Sequence, residues 1–212
     1  MDGGFMTIMT KIFDVIFLNL LWILFSIPVV TIGASTTAMY YTAVKGIRRG
    51  RGYVFKNFWH AFKLNFIPAT VAWVFVAFVG YLAMFSYMNV GFFPNEVLRY
   101  AVYFIDVFVG VICAMFAVYV FPLLSRFNMT KKQLFVNSLL LSIKHFLPWT
   151  LIMVIIFAGT ICLAWYSLFI MPILPLILPA VSCLLISFPM EKVLKMNTPE
   201  SEDNPVDEWY LE

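Results

Sequence analysis

Two carboxylates stand inside otherwise apolar segments, Asp14 in the first and Asp106 in the third. An ionisable group in lipid is costly and by default marks an ion or substrate site, which makes both candidates for one. Their depth supports a plainer reading, because each falls in the outer third of its segment, within reach of water and headgroups. Arg99 precedes Asp106 by seven residues, two turns along one helix face, where it can pair with it. Asn19 completes the candidate intramembrane polar set, with Trp22 three residues further on. An asparagine so placed hydrogen-bonds to a neighbouring helix in most membrane proteins.

The other reactive side chains form no known constellation. Cys113, Cys162 and Cys183 lie in apolar segments, at spacings that match neither a zinc site nor a thiol redox motif, so they read as buried free thiols. His60 and His145 have no carboxylate or cysteine at ligand spacing, so no metal is expected. No nucleophile stands beside a base, and no glycine loop is arranged to cradle a phosphate or bind a cofactor. Gly46, Gly50 and Gly52 among arginines make a basic turn suited to lipid phosphates. The chain is therefore not expected to be an enzyme, to carry a cofactor or to bind nucleic acid.

The elements that must position these residues follow from composition. Of 212 residues, 63% are hydrophobic and 12% charged, and the mean hydropathy is +0.92. A soluble domain of that length needs more charge to cover its core. Residues 146–190 contain no Asp, Glu, Lys or Arg, and a crossing needs only about 20 apolar residues. The segments are continuously apolar rather than alternating, which favours helices over a barrel. The expected fold is an all-α, polytopic transmembrane helical bundle of about five spans, at 12–32, 66–88, 99–123, 147–170 and 173–190. The first is too long for a signal-peptide core and reads as a retained helix. Residues 12–44 are too many for one crossing and too few for two. Pro28 and Gly33 predict a break near 28–35, then a second helical piece that Ser35, Thr36 or Thr37 caps. A re-entrant element is the competing reading.

Sidedness follows from the basic residues. Lys45, Arg48, Arg49, Arg51, Lys56 and Lys63 follow the first span, and Arg126, Lys131, Lys132 and Lys144 follow the third. Lys192 and Lys195 open the tail, so five spans put twelve of the 14 basic residues on one face. The positive-inside rule makes that face cytoplasmic, with the N-terminus outside and the C-terminus inside a plasma membrane. Arg48, Arg49, Arg51, Lys56, Lys63, Arg126, Lys131 and Lys132 are accordingly the candidate contacts to anionic headgroups or to a partner.

Two of these segments match at a constant offset of 80. Phe55, Asn57, Phe66, Pro68 and Thr70 correspond to Phe135, Asn137, Phe146, Pro148 and Thr150. The chain thus reads as two copies of a helix pair, 12–88 and 99–170, plus a fifth helix, within a single domain of residues 1–196. Both copies start on the same side, as in the parallel repeats of some transporters. Each contains an amphipathic interfacial helix before its proline. In the first, Phe55, Phe58, Trp59, Phe62 and Phe66 oppose Lys56, His60 and Lys63. That pattern fits an interfacial anchor, with a docking surface for a cytoplasmic partner as the sharper alternative. Residues 197–212 form an acidic tail expected to be disordered. Its Trp209, Tyr210 and Leu211 fit either anchorage on a basic loop or a partner.

Asn19-Leu20-Leu21-Trp22, the run 27–34 (Ile-Pro-Val-Val-Thr-Ile-Gly-Ala), the basic stretch 45–52 and the aromatic stretch 55–66 together resemble the YesL family. These are bacterial membrane proteins of unknown function. The likeness spans most of the chain and weakens after residue 130. It implies no reaction and supplies no catalytic residues. The family's genes commonly lie beside those for sugar ABC transporters and carbohydrate breakdown. The resemblance therefore implies an accessory role in carbohydrate uptake; the chain is expected to be non-catalytic, with an ABC-transporter permease or a second copy of itself as the candidate protein partner. A small transporter or channel using Asp14 and Asp106 is the alternative.

Overall fold

The computed structural model describes residues 2–92, 95–127, 129–170 and 177–197. Among them the chain is all-helical, with no strand. The helices are α1 (Asp2–Ser26), α2 (Ile32–Thr42), α3 (Val54–Asn89), α4 (Glu96–Arg126), α5 (Lys131–Lys144), α6 (Leu151–Ile170) and α7 (Leu178–Asn197). Four stretches are long and apolar enough to cross a bilayer: Met6–Ser26, Val54–Phe92, Glu96–Arg126 and Phe146–Ser167. The chain is thus a membrane protein, folded as lipid requires, with backbone polar groups satisfied inside each helix. The fifth expected span, 173–190, lies partly outside the described residues. Its described part is the start of α7. Of the tail, only Asn197 is described.

The apolar stretch that fits neither one crossing nor two forms two helices. α1 stops at Ser26, since Ile27 precedes a proline and is biased away from helical backbone. Pro28 is extended (φ −73°, ψ 111°), and a 3-10 turn over Val29–Thr31 leads into α2. The Thr31 hydroxyl lies within hydrogen-bond reach of the Pro28 carbonyl and of the Phe25 carbonyl, the latter one of those that the end of α1 leaves without an intrahelical partner. α2 is then the innermost element. Nine of its 11 residues are buried, and it packs against α1, α3, α4 and α7.

Small residues make that position possible. A Cβ on Gly33 would lie 2.4 Å from the Ala69 carbonyl oxygen and 2.6 Å from Trp73 Cβ, whereas Gly46 sits beside Asn57. α2 and its π-helical continuation Ala43–Arg48 therefore run antiparallel to the first half of α3. Their closest approach is at a glycine, as membrane helix pairs often arrange it.

α3 departs from expectation. The aromatic segment 55–66 is not a separate interfacial helix that stops before Pro68. It is continuous with the span, and Pro68 sits inside one 36-residue helix. Val54, Phe58, Ala61, Phe62, Asn65, Ala69 and Ala72 form a buried stripe at helical spacing. Phe58 and Phe62 pack against Phe25 of α1 with tilted rings, at centroid distances of 5.4 and 5.1 Å. Protein thus covers the middle of the aromatic face, while Phe55, Trp59 and Phe66 remain exposed. The amphipathic pattern fixes which face is apolar; α1 and α2, rather than acyl chains, cover its centre.

The matched segment in the second half takes another path. α5 opens with a reciprocal cap between Thr130 and Gln133 and ends at Lys144. Leu147, ahead of Pro148, is extended (φ −112°, ψ 130°), the backbone a residue before proline prefers. Thr150 holds the kink, its hydroxyl 3.0 Å from the Ser142 and His145 carbonyls and 2.7 Å from the Tyr119 hydroxyl. Pro68 and Pro148 match in sequence, yet one lies within a continuous helix and the other at a bend.

α3 and α4 run antiparallel, with Tyr87 packed near Tyr103 and Phe75 edge-on against Phe116. The last third of α4, from Met115 to Ser125, is buried throughout. Its first half exposes Tyr100, Phe104, Ile105 and Phe108. The packed core therefore sits toward the end of the bundle that carries the basic segments.

Candidate functional site

Where α2, α4 and α7 converge, the core contains a charge cluster. Glu191 of α7 accepts from Arg126 Nη1 at 3.0 Å and from the Tyr40 hydroxyl at 2.9 Å, one bond on each carboxylate oxygen. The Arg126 and Glu191 side chains are only 2% and 7% exposed. Burial first, and then the adjacent Glu191 carboxylate, push the Tyr40 phenol well above its ordinary range, so it stays protonated and donates. One turn earlier on α7, Arg48 donates to the Ser187 carbonyl and hydroxyl at 2.9 and 3.0 Å and lies over the Phe188 ring at 4.1 Å. Both carboxylate oxygens of Glu191 are engaged, and the Arg126 guanidinium beside them is fixed. The cluster's chemistry is to hold α7 against the rest of the bundle.

Beside it lies a cavity of about 710 Å³ reached by α1, α2, α3, α4, α6 and α7. Trp22, Trp73, Phe121, Phe157 and Trp165 supply much of its wall. Polar groups on that wall bond internally. Trp22 Nε1 donates to Thr36, Trp73 Nε1 to the Val29 carbonyl, Thr160 to the Ile156 carbonyl and Ser182 to the Pro179 carbonyl. Tyr40, also on the wall, is bound to Glu191.

A family model described as "Protein of unknown function, DUF624" matches residues 15–87, the part of the chain that contains the second half of α1, α2 and most of α3. The "Uncharacterized protein YteU" of Bacillus subtilis (strain 168) is 31% identical over 175 residues, covering 80% of this chain and 74% of that protein. The chain belongs to the DUF624 family. No solved structure matches it.

Several motif residues of this DUF624 chain meet around α2. Asn19 is fully buried, and its Oδ1 accepts from the Ala180 backbone N–H at 3.1 Å, which ties α1 to the start of α7. Trp22, Pro28, Thr31 and Gly33 build the α1–α2 turn and its contacts, as described above. Gly50 and Gly52 have φ of +66° and +75°, a left-handed backbone that glycine adopts without strain. They release the chain into α3, where Asn57 Nδ2 donates to the Arg51 carbonyl.

The expected site residues are not brought together. Asp14 and Asp106 are both half-buried, but α1 packs on α2, α3 and α7 and has no extensive packing on α4. Of the expected surface cations, Arg49, Arg51, Lys56, Lys63 and Lys132 are exposed, and Lys63 lies over Trp59 at 4.6 Å. The Arg126 charge is instead used inside the molecule by Glu191, and Arg48 is half-buried against Ser187. Glu191 and Tyr40 had no distinguishing signal. The acid lies between a span and two lysines, and nothing in the sequence pairs it with residues 151 and 65 positions away.

Proposed function

We propose that this DUF624 chain is a non-catalytic, multi-pass plasma-membrane protein serving carbohydrate uptake as an accessory to an ABC-type permease. The carbohydrate link comes from the resemblance to the YesL family. The observation that carries a docking role is the basic end of the bundle. There Lys56 and Lys63 are exposed on α3, whose other face is packed into the core, and Arg49 and Arg51 are exposed on the turn just before it. A surface presented by a rigid element loses little freedom on binding, which favours association. In this reading α7 belongs to a fifth span, the copies 12–88 and 99–170 are related helix pairs, and the basic end faces the cytoplasm and its anionic headgroups. Purification from native membranes tests it. A permease subunit should accompany the chain, and deleting the gene should slow uptake of a sugar. A chain that always runs alone, with uptake unchanged, would end the proposal.

A second reading, a small transporter or channel, draws on one observation. Asp106 Oδ2 is buried and has no hydrogen-bond partner, as an ion-binding carboxylate awaiting its ligand would be. Flux through reconstituted vesicles should then disappear in Asp106→Asn and Asp14→Asn. Flux that is absent from the wild type, or unchanged in both variants, dismisses it.

A further inference from the structure

We infer that residues 207–211 of this chain dock in a groove between α4, α5 and α7, with Trp209 inside it and the neighbouring carboxylates at its lysine rim. The segment 198–212 lies outside the described residues. The groove, and the point where the chain leaves α7, are both described.

The groove has a volume of about 390 Å³ and lies where the end of α4, the chain that follows it, α5 and the end of α7 meet. Leu123, Phe127, Met129, Leu140 and Leu141 supply the apolar part of its wall. Lys144, Asn137 and Asn197 supply a polar part. Asn137 Nδ2 donates to the Met129 sulfur at 3.5 Å, a weak acceptor, so most of that amide's bonding capacity is still open. A hydrocarbon chain would leave those polar groups unused. An aromatic side chain with a polar tip uses both kinds of wall, because a buried Trp N–H or Tyr O–H needs a partner.

Charge narrows the choice to an acidic segment. The stretches that form the groove, 119–144 and 187–197, contain Arg126, Lys131, Lys132, Lys144, Lys192 and Lys195 against one acid, Glu191. Glu191 is already held by Arg126 and Tyr40. At the rim, Lys144 is exposed and its amine donates to the Asn197 side-chain oxygen at 2.7 Å, a neutral partner. The residues that follow Asn197 reverse this balance. Glu200, Glu202, Asp203, Asp207, Glu208 and Glu212 fall within 198–212, which has no Lys or Arg. Trp209, Tyr210 and Leu211 stand among the last of these acids, so one short run offers an apolar anchor and flanking carboxylates together.

The tether permits it. Asn197 lines the groove, and its Nδ2 lies 2.7 Å from both His145 Nε2 and the Val193 carbonyl, which fixes where the chain departs. The 12 residues from there to Trp209 span up to about 40 Å when extended, ample for a return to the same groove. Docked in this way, the segment competes with any other ligand of the groove at the roughly millimolar effective concentration of a short tether.

Photo-cross-linking of the full chain in lipid nanodiscs tests the assignment. With p-benzoylphenylalanine in place of Trp209, irradiation should give cross-links within one chain, to residues 123–144 or 190–197. Leu140→Glu and Lys144→Glu, both on the wall, should lower their yield at least several-fold. Val136→Glu and Lys132→Glu make the same changes at exposed positions of α5 that are not on the wall, and should alter it little. Heat-unfolding midpoints would confirm that each variant is folded, and the cross-linked partner in the otherwise unaltered chain is decisive without any variant. Cross-links between two chains, to lipid, to other parts of the bundle or to nothing would overturn the assignment. So would wall variants that keep the yield, or controls that lose it equally.

Discussion

At the scale of single residues, Glu191 and Arg126 depend on each other. Each has little access to water, so removing one partner leaves an uncompensated buried charge, a loss of roughly 3–5 kcal/mol. Glu191→Ala and Arg126→Ala should each lower the heat-unfolding midpoint in detergent sharply. The double variant Arg126→Met/Glu191→Leu should fall by clearly less than the two single losses added together. Additive losses would mean that the pair is not coupled. Asn19→Leu should cost about 1–3 kcal/mol in the same assay by stranding the Ala180 N–H, and a midpoint within error of wild type would deny that bond its role. Asn19 could be singled out in the sequence because a lone amide in an apolar run must find a partner. Glu191 could not, since its partners come from α2 and α4 and no local pattern encodes that convergence.

Among the elements, α2 sets how closely everything else packs. Alanine at Gly33 must displace backbone, given contacts of 2.4 and 2.6 Å, whereas alanine at Gly46 meets the end of the Asn57 side chain at 3.3 Å. Gly33→Ala should therefore destabilise by about 1–3 kcal/mol, as overpacking does, and Gly46→Ala should be milder. Equal effects in a thermal-shift measurement would contradict the packing described for α2 and α3. The break after α1 was legible because proline biases the residue before it and threonine readily bonds back to free carbonyls. The fate of Phe58 and Phe62 was not legible. Helical spacing shows that they share a face, and a hydrophobic face looks the same whether lipid or another helix will cover it. Pro68 and Pro148 teach the same lesson, since flanking packing and the Thr150 hydroxyl decide whether each proline bends its helix.

For the whole molecule, hydropathy was enough to assign lipid as the solvent, because lipid requires long, continuously apolar helices. It was not enough to separate a span from a buried helix. α2 is apolar but short and enclosed, and α7 ends in the charged residues Glu191, Lys192 and Lys195. Those cations, with Arg49 and Lys132, underlie the central claim that the basic segments share the cytoplasmic face. Cysteine reporters at Arg49, Lys132 and Lys195, each introduced singly after Cys113, Cys162 and Cys183 are changed to alanine, test that claim most directly. With a membrane-impermeant maleimide, all three should label in inverted membrane vesicles and stay unlabelled in intact cells. Labelling of any one of them from outside intact cells would contradict it.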